Sequence, residues 1–93
     1  MKISIIIPTL DRAEALIRLI NLLKIQLSEE VELVVVDDSK LPLAESDLAN
    51  WGEKMKYIHR GEKLGVSSAR NVGCQHSNAE HLIFLDDDDA VTE

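Results

Sequence analysis

With 93 residues, 45% of them hydrophobic and 29% charged, the chain is sized for one thin-cored domain, since independently folding domains cluster near roughly 100–150 residues. Its net charge of −7, from 17 acidic and 10 basic side chains without a basic patch, argues against a nucleic-acid partner. No apolar run approaches the roughly 18–20 residues of a membrane span, and a lone cysteine, Cys74, rules out an internal disulfide.

Met1-Lys2-Ile3 passes directly into a strand pattern, without the charged leader and long apolar stretch of a secretion signal, so a reducing, cytoplasmic setting is expected. Ile3-Ser4-Ile5-Ile6-Ile7 is nearly all β-branched and apolar, and Pro8 stops it. A strand apolar on both faces predicts burial between two helical layers of a parallel sheet. Asp11-Arg12-Ala13-Glu14 has capping-box spacing, and Leu16, Ile20, Leu23 and Leu27 recur at helical intervals, which predicts a helix from Arg12 to Gln26. Leu33-Val34-Val35-Val36 is a second buried strand, ending at Asp37-Asp38-Ser39. Strand, helix and strand make a βαβ unit, so these strands should be parallel with a right-handed crossover.

Pro42 through Trp51 predicts a short helix with Pro in its first turn and Gly52 as its stop. Met55-Lys56-Tyr57-Ile58-His59-Arg60 is half polar, as suits an edge strand. After the Gly61–Gly65 loop a helix opens, with Ser67 or Ser68 as its cap. Its Val66, Ala69, Val72 and Gly73 form a narrow face of small residues suited to close packing on a sheet. The last strand, His81-Leu82-Ile83-Phe84-Leu85, runs into Asp86-Asp87-Asp88-Asp89. The predicted fold is α/β: a Rossmann-like three-layer α/β/α arrangement with a mostly parallel sheet of order 3-2-1-4. In that order the first and fourth strands are adjacent. The chain reverses direction across the sheet there, and open α/β sheets bind ligands at such switch points, outside the carboxyl ends of the strands. The unpaired side of the fourth strand predicts self-association through an exposed edge.

The three strand ends at that switch point carry Pro8-Thr9, Asp37-Asp38 and Asp86-Asp87-Asp88-Asp89. Carboxylates a few ångströms apart repel one another by several kcal/mol at an effective dielectric of about 20, so such a cluster is solvated, partly protonated or neutralised by a cation. Mg²⁺ and Mn²⁺ favour carboxylate and water oxygens together with substrate phosphates. A solvated acidic tail is the plain alternative, disfavoured by the buried strand immediately before it. Arg70 is predicted in the first turn of its helix, where the dipole makes a cation unfavourable by roughly 0.3–1 kcal/mol. It is explained by an anion bound in front of it, by a tie to one of the aspartates, or by both in turn. Asp37 and Asp38 have the position of acidic residues that accept from ribose or base, or that cap a turn. His59, His76 and His81 lack metal-ligand spacing, and Cys74 is read as helix packing.

Four segments in order, Ser4–Thr9, Val34–Ser39, Gly65–Gly73 and Phe84–Asp89, resemble the amino-terminal half of family 2 glycosyltransferases, and the match runs along essentially the whole chain. The resemblance implies that residues 1–93 are the nucleotide-sugar-binding part of a GT-A domain. It implies a nucleoside-diphosphate sugar as donor, UDP-sugar favoured, with Mg²⁺ or Mn²⁺. Carried over by position, Pro8 and Thr9 lie near the base, Asp37 and Asp38 hold base and ribose, and Arg70 and Asp87 reach the nucleotide. Asp86 and Asp88 are the metal motif, Asp88 foremost. The family usually has Gly where Ser39 stands, which questions the turn geometry there. Members also continue well beyond this length to supply the acceptor site and a catalytic base, so no catalytic residue is assigned here. The parent protein is expected to be an inverting transferase acting on an acceptor hydroxyl in polysaccharide or cell-envelope glycan synthesis. Its acceptor is expected to be a glycan or lipid-linked, at the inner face of the membrane. The isolated piece is expected to be inactive.

Two alternatives compete. A signalling receiver domain also places paired aspartates and Mg²⁺ on a parallel sheet, but its pair follows the first strand and a lysine follows a later one. Here the pair follows the second strand, and no strand remains for that lysine. A non-catalytic nucleotide-binding or interaction module from a truncated transferase is the other.

Overall fold

The structure, a computed structural model, describes residues 2–26, 30–48, 51 and 54–86. Four strands, β1 (Ile3–Thr9), β2 (Val31–Asp37), β3 (Met55–His59) and β4 (His81–Phe84), form one sheet in the order β3-β2-β1-β4. Every neighbouring pair is parallel, with Ile5 beside Leu33 and Ile83, and Val35 beside Tyr57. The predicted strand order therefore holds, and the half-polar strand is an edge. Helices α1 (Ala13–Gln26), α2 (Glu45–Leu48) and α3 (Val66–His76) connect the strands.

Side-chain alternation along the two central strands divides the core in two. On one face Ile5, Ile7, Leu33 and Val35 meet Leu16, Leu19, Ile20 and Leu23 of α1, with Trp51 buried among them. On the other, Ile6, Val34 and Val36 meet Ala69 of α3, flanked by Val72, Cys74 and Ile58. Each fully buried aliphatic side chain contributes about 1.5–3 kcal/mol of transfer free energy, so the unbroken apolar runs of β1 and β2 are what make a three-layer arrangement favourable. The small-residue face of α3 lets it approach closely. A Cβ at Gly73 would stand 2.4 Å from Ile6 Cγ2.

Several local expectations are revised. Helix α1 starts at Ala13, and Asp11 adopts a left-handed backbone (φ 55) with its N–H donated to Ser39 Oγ at 2.6 Å. Of the expected helix over 42–51, the described residues show α2 at Glu45–Leu48, with no buried side chain, and residues 42–44 before it are not helical; residues 49 and 50 lie outside the described residues. Its expected stop, Gly52, lies outside the described residues, as does Leu27 of the first helix. Helix α3 opens at Val66 with Gly65 as N-cap (φ 95, ψ 152) and no side-chain cap. A glycine able to take positive φ turns the chain directly into the helix, so Ser67 and Ser68 fall in its first turn and Arg70 in its second. The dipole penalty at Arg70 is correspondingly weaker. Strand β4 is exposed along its length, with Leu82, Ile83 and Phe84 each more than 40% accessible.

At the amino-terminal edge of the sheet, Ser4 and Glu32 are polar yet buried. Ser77 donates to Ser4 Oγ (2.6 Å), Ser4 donates to Glu32 Oε1 (2.5 Å), and the Asn78 N–H reaches the same oxygen (2.9 Å). Lys56 Nζ stands 3.7 Å from Glu32 Oε2 and donates to His76 O at 2.6 Å. Burial alone raises the Glu32 carboxyl. The Ser4 and Asn78 hydrogen bonds and the Lys56 charge outweigh it, so the group titrates below the ordinary glutamate value.

Candidate functional site

The carboxyl ends of the parallel strands converge on one cleft of about 420 Å³. Strand β1 and the turn after it supply Pro8, Thr9, Leu10 and Arg12, and Asp38 comes from the end of β2. The β3–α3 loop and the start of α3 supply Lys63, Gly65, Val66 and Ala69, and Asp86 follows β4. This is the switch point between β1 and β4. Helix α3 starts after Gly65 without a side-chain cap, so the backbone N–H groups of its first turn stand at this end of the molecule.

The adjacent aspartates after β2 have different fates. Asp37, 2% exposed, does not line the cleft. Its Oδ1 accepts the Ser39 N–H at 2.9 Å, and its Oδ2 accepts the Tyr57 hydroxyl at 2.5 Å. That hydroxyl in turn accepts the Leu43 N–H at 2.9 Å. Burial, then donation to the Asp37 carboxylate, pushes the Tyr57 phenol far above its ordinary value, so it remains a donor. Asp38 lines the cleft. Arg60 grips it through a guanidinium fork, Nε to Oδ1 at 2.5 Å and Nη2 to Oδ2 at 2.7 Å. Arg60 Nη1 also donates to Ser68 Oγ in the first turn of α3 (2.8 Å), and its backbone N–H donates to Asp37 O (2.8 Å). The hydrogen bonds to Asp38 hold the Arg60 guanidinium above its usual value, against the opposing effect of burial.

Ser39 answers the turn question raised by its departure from Gly. Among the described residues Asp11 alone of the non-glycines has positive φ, so the turn at Ser39 does not need glycine. Instead the serine ties three segments together, through Asp11 N–H to its Oγ, its own N–H to Asp37, and its carbonyl to His59 Nε2 at 2.6 Å.

Pro8, Thr9, Asp38 and Asp86 thus meet in one cleft, and Asp37 stands behind it as a buried anchor. Arg70 is not a lining residue. Its Nη2 is 3.6 Å from Asp86 Oδ1, its guanidinium lies 5.7 Å from the centre of the Phe84 ring, and its buried Nε has no hydrogen-bond partner. The expected tie between Arg70 and an aspartate is therefore present, with one donor to spare. Asp87, Asp88 and Asp89 lie outside the described residues. Among the described residues no group of three His, Cys, Asp or Glu gathers as a metal site. Asp86 offers a hard oxygen donor of the right kind at the cleft, with its side chain 52% accessible.

Sequence reasoning passed over Arg60, Tyr57, Arg12 and Lys63. For Arg60 a signal existed. It directly follows an edge strand whose carboxyl end must lie beside that of β2, within reach of Asp38.

A profile for Glycosyl transferase family 2 matches residues 4–93. The GalNAc(5)-diNAcBac-PP-undecaprenol beta-1,3-glucosyltransferase of Campylobacter jejuni is 30% identical over 97% of this chain and 30% of its own length. The PGL/p-HBAD biosynthesis glycosyltransferase of Mycobacterium bovis is 37% identical over 97% of this chain and 36% of its own. Among solved structures, S. aureus TarS 1-349 in complex with UDP superposes with a TM-score of 0.77 at 28% identity, over 95% of this chain and 28% of that one. The fold is that of the GT-A glycosyltransferases. The chain spans between 13% and 36% of the length of curated relatives such as these.

Proposed function

The chain belongs to glycosyl transferase family 2, and from that membership we propose that it is the donor-binding part of a transferase moving a sugar from a nucleoside-diphosphate sugar to an acceptor hydroxyl. The observation that carries this reading is the cleft at the β1/β4 switch point, where Thr9, Asp38, the uncapped start of α3 and Asp86 stand together. The uncapped amides of α3 suit a diphosphate. Asp38 presents acceptors suited to the N–H and hydroxyl groups of base and ribose, with Pro8 and Thr9 beside it. Asp37 serves by fixing the β2 end behind them. A UDP-sugar is the favoured donor, in keeping with the UDP held by the TarS structure.

Asp86 and Asp88, with Asp87 beside them on the sugar nucleotide, would hold Mg²⁺ or Mn²⁺. When bound, the ion supplies neutralisation of the charge that develops on the departing diphosphate. Arg70, now paired with Asp86, would turn its guanidinium to the same phosphates once the donor binds. The base that activates the acceptor is assigned to a part of the protein outside this chain, and the chain alone is inactive. The acceptor is a glycan or lipid-linked molecule of envelope or polysaccharide synthesis. The Campylobacter relative, whose name includes a PP-undecaprenol-linked glycan, supports that choice. The working location is cytoplasmic, at the inner membrane face. Self-association runs through β4, whose outer edge carries no partner strand among the described residues.

Calorimetric titration of UDP with and without Mn²⁺, on the chain and on Asp88→Ala, tests the reading. Mn²⁺ should tighten UDP binding by roughly tenfold or more, about 1.4 kcal/mol, and Asp88→Ala should abolish that gain. Absent or metal-independent binding by the unsubstituted chain would refute it.

A further inference from the structure

Arg60 is nearly buried, with 11% of its side chain accessible, yet it does not line the cleft. It touches three of the elements that do. Its fork holds Asp38 after β2, its Nη1 holds Ser68 in α3, and its own backbone continues β3 into the Gly61–Gly65 loop that carries Lys63. The Leu64 N–H of that loop also points to Asp38 Oδ2, at 3.4 Å.

A bidentate guanidinium does two things to a carboxylate that a lysine or a water does not. It fixes the plane of the carboxylate, and it occupies one lone pair on each oxygen, so that the remaining lone pairs accept from fixed directions. Asp38 is 6% exposed, so without this partner it would carry a desolvated charge with no fixed orientation.

We propose that Arg60 is a positioning residue for nucleobase selection, fixing Asp38 as an acceptor-only group so that the cleft selects bases presenting an N–H donor over bases presenting an unprotonated ring nitrogen. Uracil offers N3–H at that edge, whereas cytosine offers N3 as an acceptor. The proposal rests on the reading of Asp38 as a ligand contact. A site built to pair one polar group rejects an analogue that leaves it unpaired, so discrimination of tenfold or more is the expected scale.

The test is titration with UDP, CDP and inorganic pyrophosphate in the presence of Mn²⁺, comparing the unsubstituted chain with Arg60→Gln, Arg60→Lys and Asp38→Asn. The unsubstituted chain should prefer UDP to CDP by tenfold or more. Arg60→Gln should bring that ratio toward one while leaving pyrophosphate affinity within about twofold. Arg60→Lys keeps the charge without the fork, so it retains the fold and should give an intermediate ratio. Asp38→Asn, which turns an amide donor toward the cleft, should lower or invert the ratio. If Asp38→Asn leaves the ratio unchanged, the ligand role of Asp38 fails and the proposal fails with it. If Asp38→Asn changes the ratio and both Arg60 variants do not, the proposal alone is overturned. Equal loss of UDP, CDP and pyrophosphate affinity in the Arg60 variants also overturns it, since that is the mark of a purely structural tie.

Discussion

Replacing Gly73 with Ala tests whether α3 is seated as closely on the sheet as the structure shows. The added Cβ would stand 2.4 Å from Ile6 Cγ2, 3.4 Å from its Cγ1 and 3.5 Å from its Cβ. Ordinary carbon contacts lie near 3.5–4.0 Å, so the two groups must separate by more than about 1 Å. Ile6 has little room to retreat. It is fully buried, stiff at χ1 because it is β-branched, and flanked in the sheet by Val34 and Phe84. The helix must move instead, and overpacking of this kind costs about 1–3 kcal/mol. Ala is better than Gly inside a helix by about 1 kcal/mol, which offsets part of that. The size of the overlap puts the clash at the upper end of its range, so the net expectation is destabilisation of about 1–2 kcal/mol. For a domain of this size, that lowers Tm by roughly 4–16 °C. Thermal and urea unfolding followed by circular dichroism would read it. In an Ile6→Leu background, where the branch moves one carbon outward, the penalty should shrink. Ala69 lies one turn earlier on α3 and lines the cleft, so UDP affinity should fall along with stability. A Gly73→Ala chain that gains about 0.5–1 kcal/mol, as an unhindered helix position would, refutes the close seating of α3.

The Glu32 network makes stability depend on acid in a defined direction. Its carboxyl titrates below the ordinary glutamate value of 4.5, so its contribution is fully present above pH 4.5 and is lost as pH falls through the lower folded value. Glu32→Gln should therefore cost roughly 1–3 kcal/mol at pH 7 and progressively less as pH falls below 4.5, by urea unfolding; a cost that stays constant down to the acid limit of folding would contradict the assigned bonds. At the other edge of the sheet, Ile83 sits on the exposed strand β4. A charge there should suppress pairing between copies, so Ile83→Lys should sediment as a monomer at concentrations where the unsubstituted chain associates. A monomeric unsubstituted chain would remove the basis for edge pairing.

Element order and strand order were legible in the sequence because they follow from nearest-neighbour patterns. Runs such as Ile3–Ile7 and Leu33–Val36 can be buried only on both faces, half-polar Met55–Arg60 only at an edge, and parallel strands put their carboxyl ends together. Those patterns alone place Thr9, Asp38 and Asp86 at one end of the sheet. The roles within the cleft were decided elsewhere. Asp37 and Asp38 are chemically identical neighbours, yet one is locked inward by Tyr57 and the other lines the cleft under the hold of Arg60. The partners that divide them lie 20 and 22 residues away, and the register of β3 against β2 brings them into reach. The helix caps followed the same rule, with the start of α3 set by the positive φ of Gly65 rather than by its serines. A linear pattern specifies which face a side chain occupies, but a hydrogen-bond partner exists only once distant strands have docked in register.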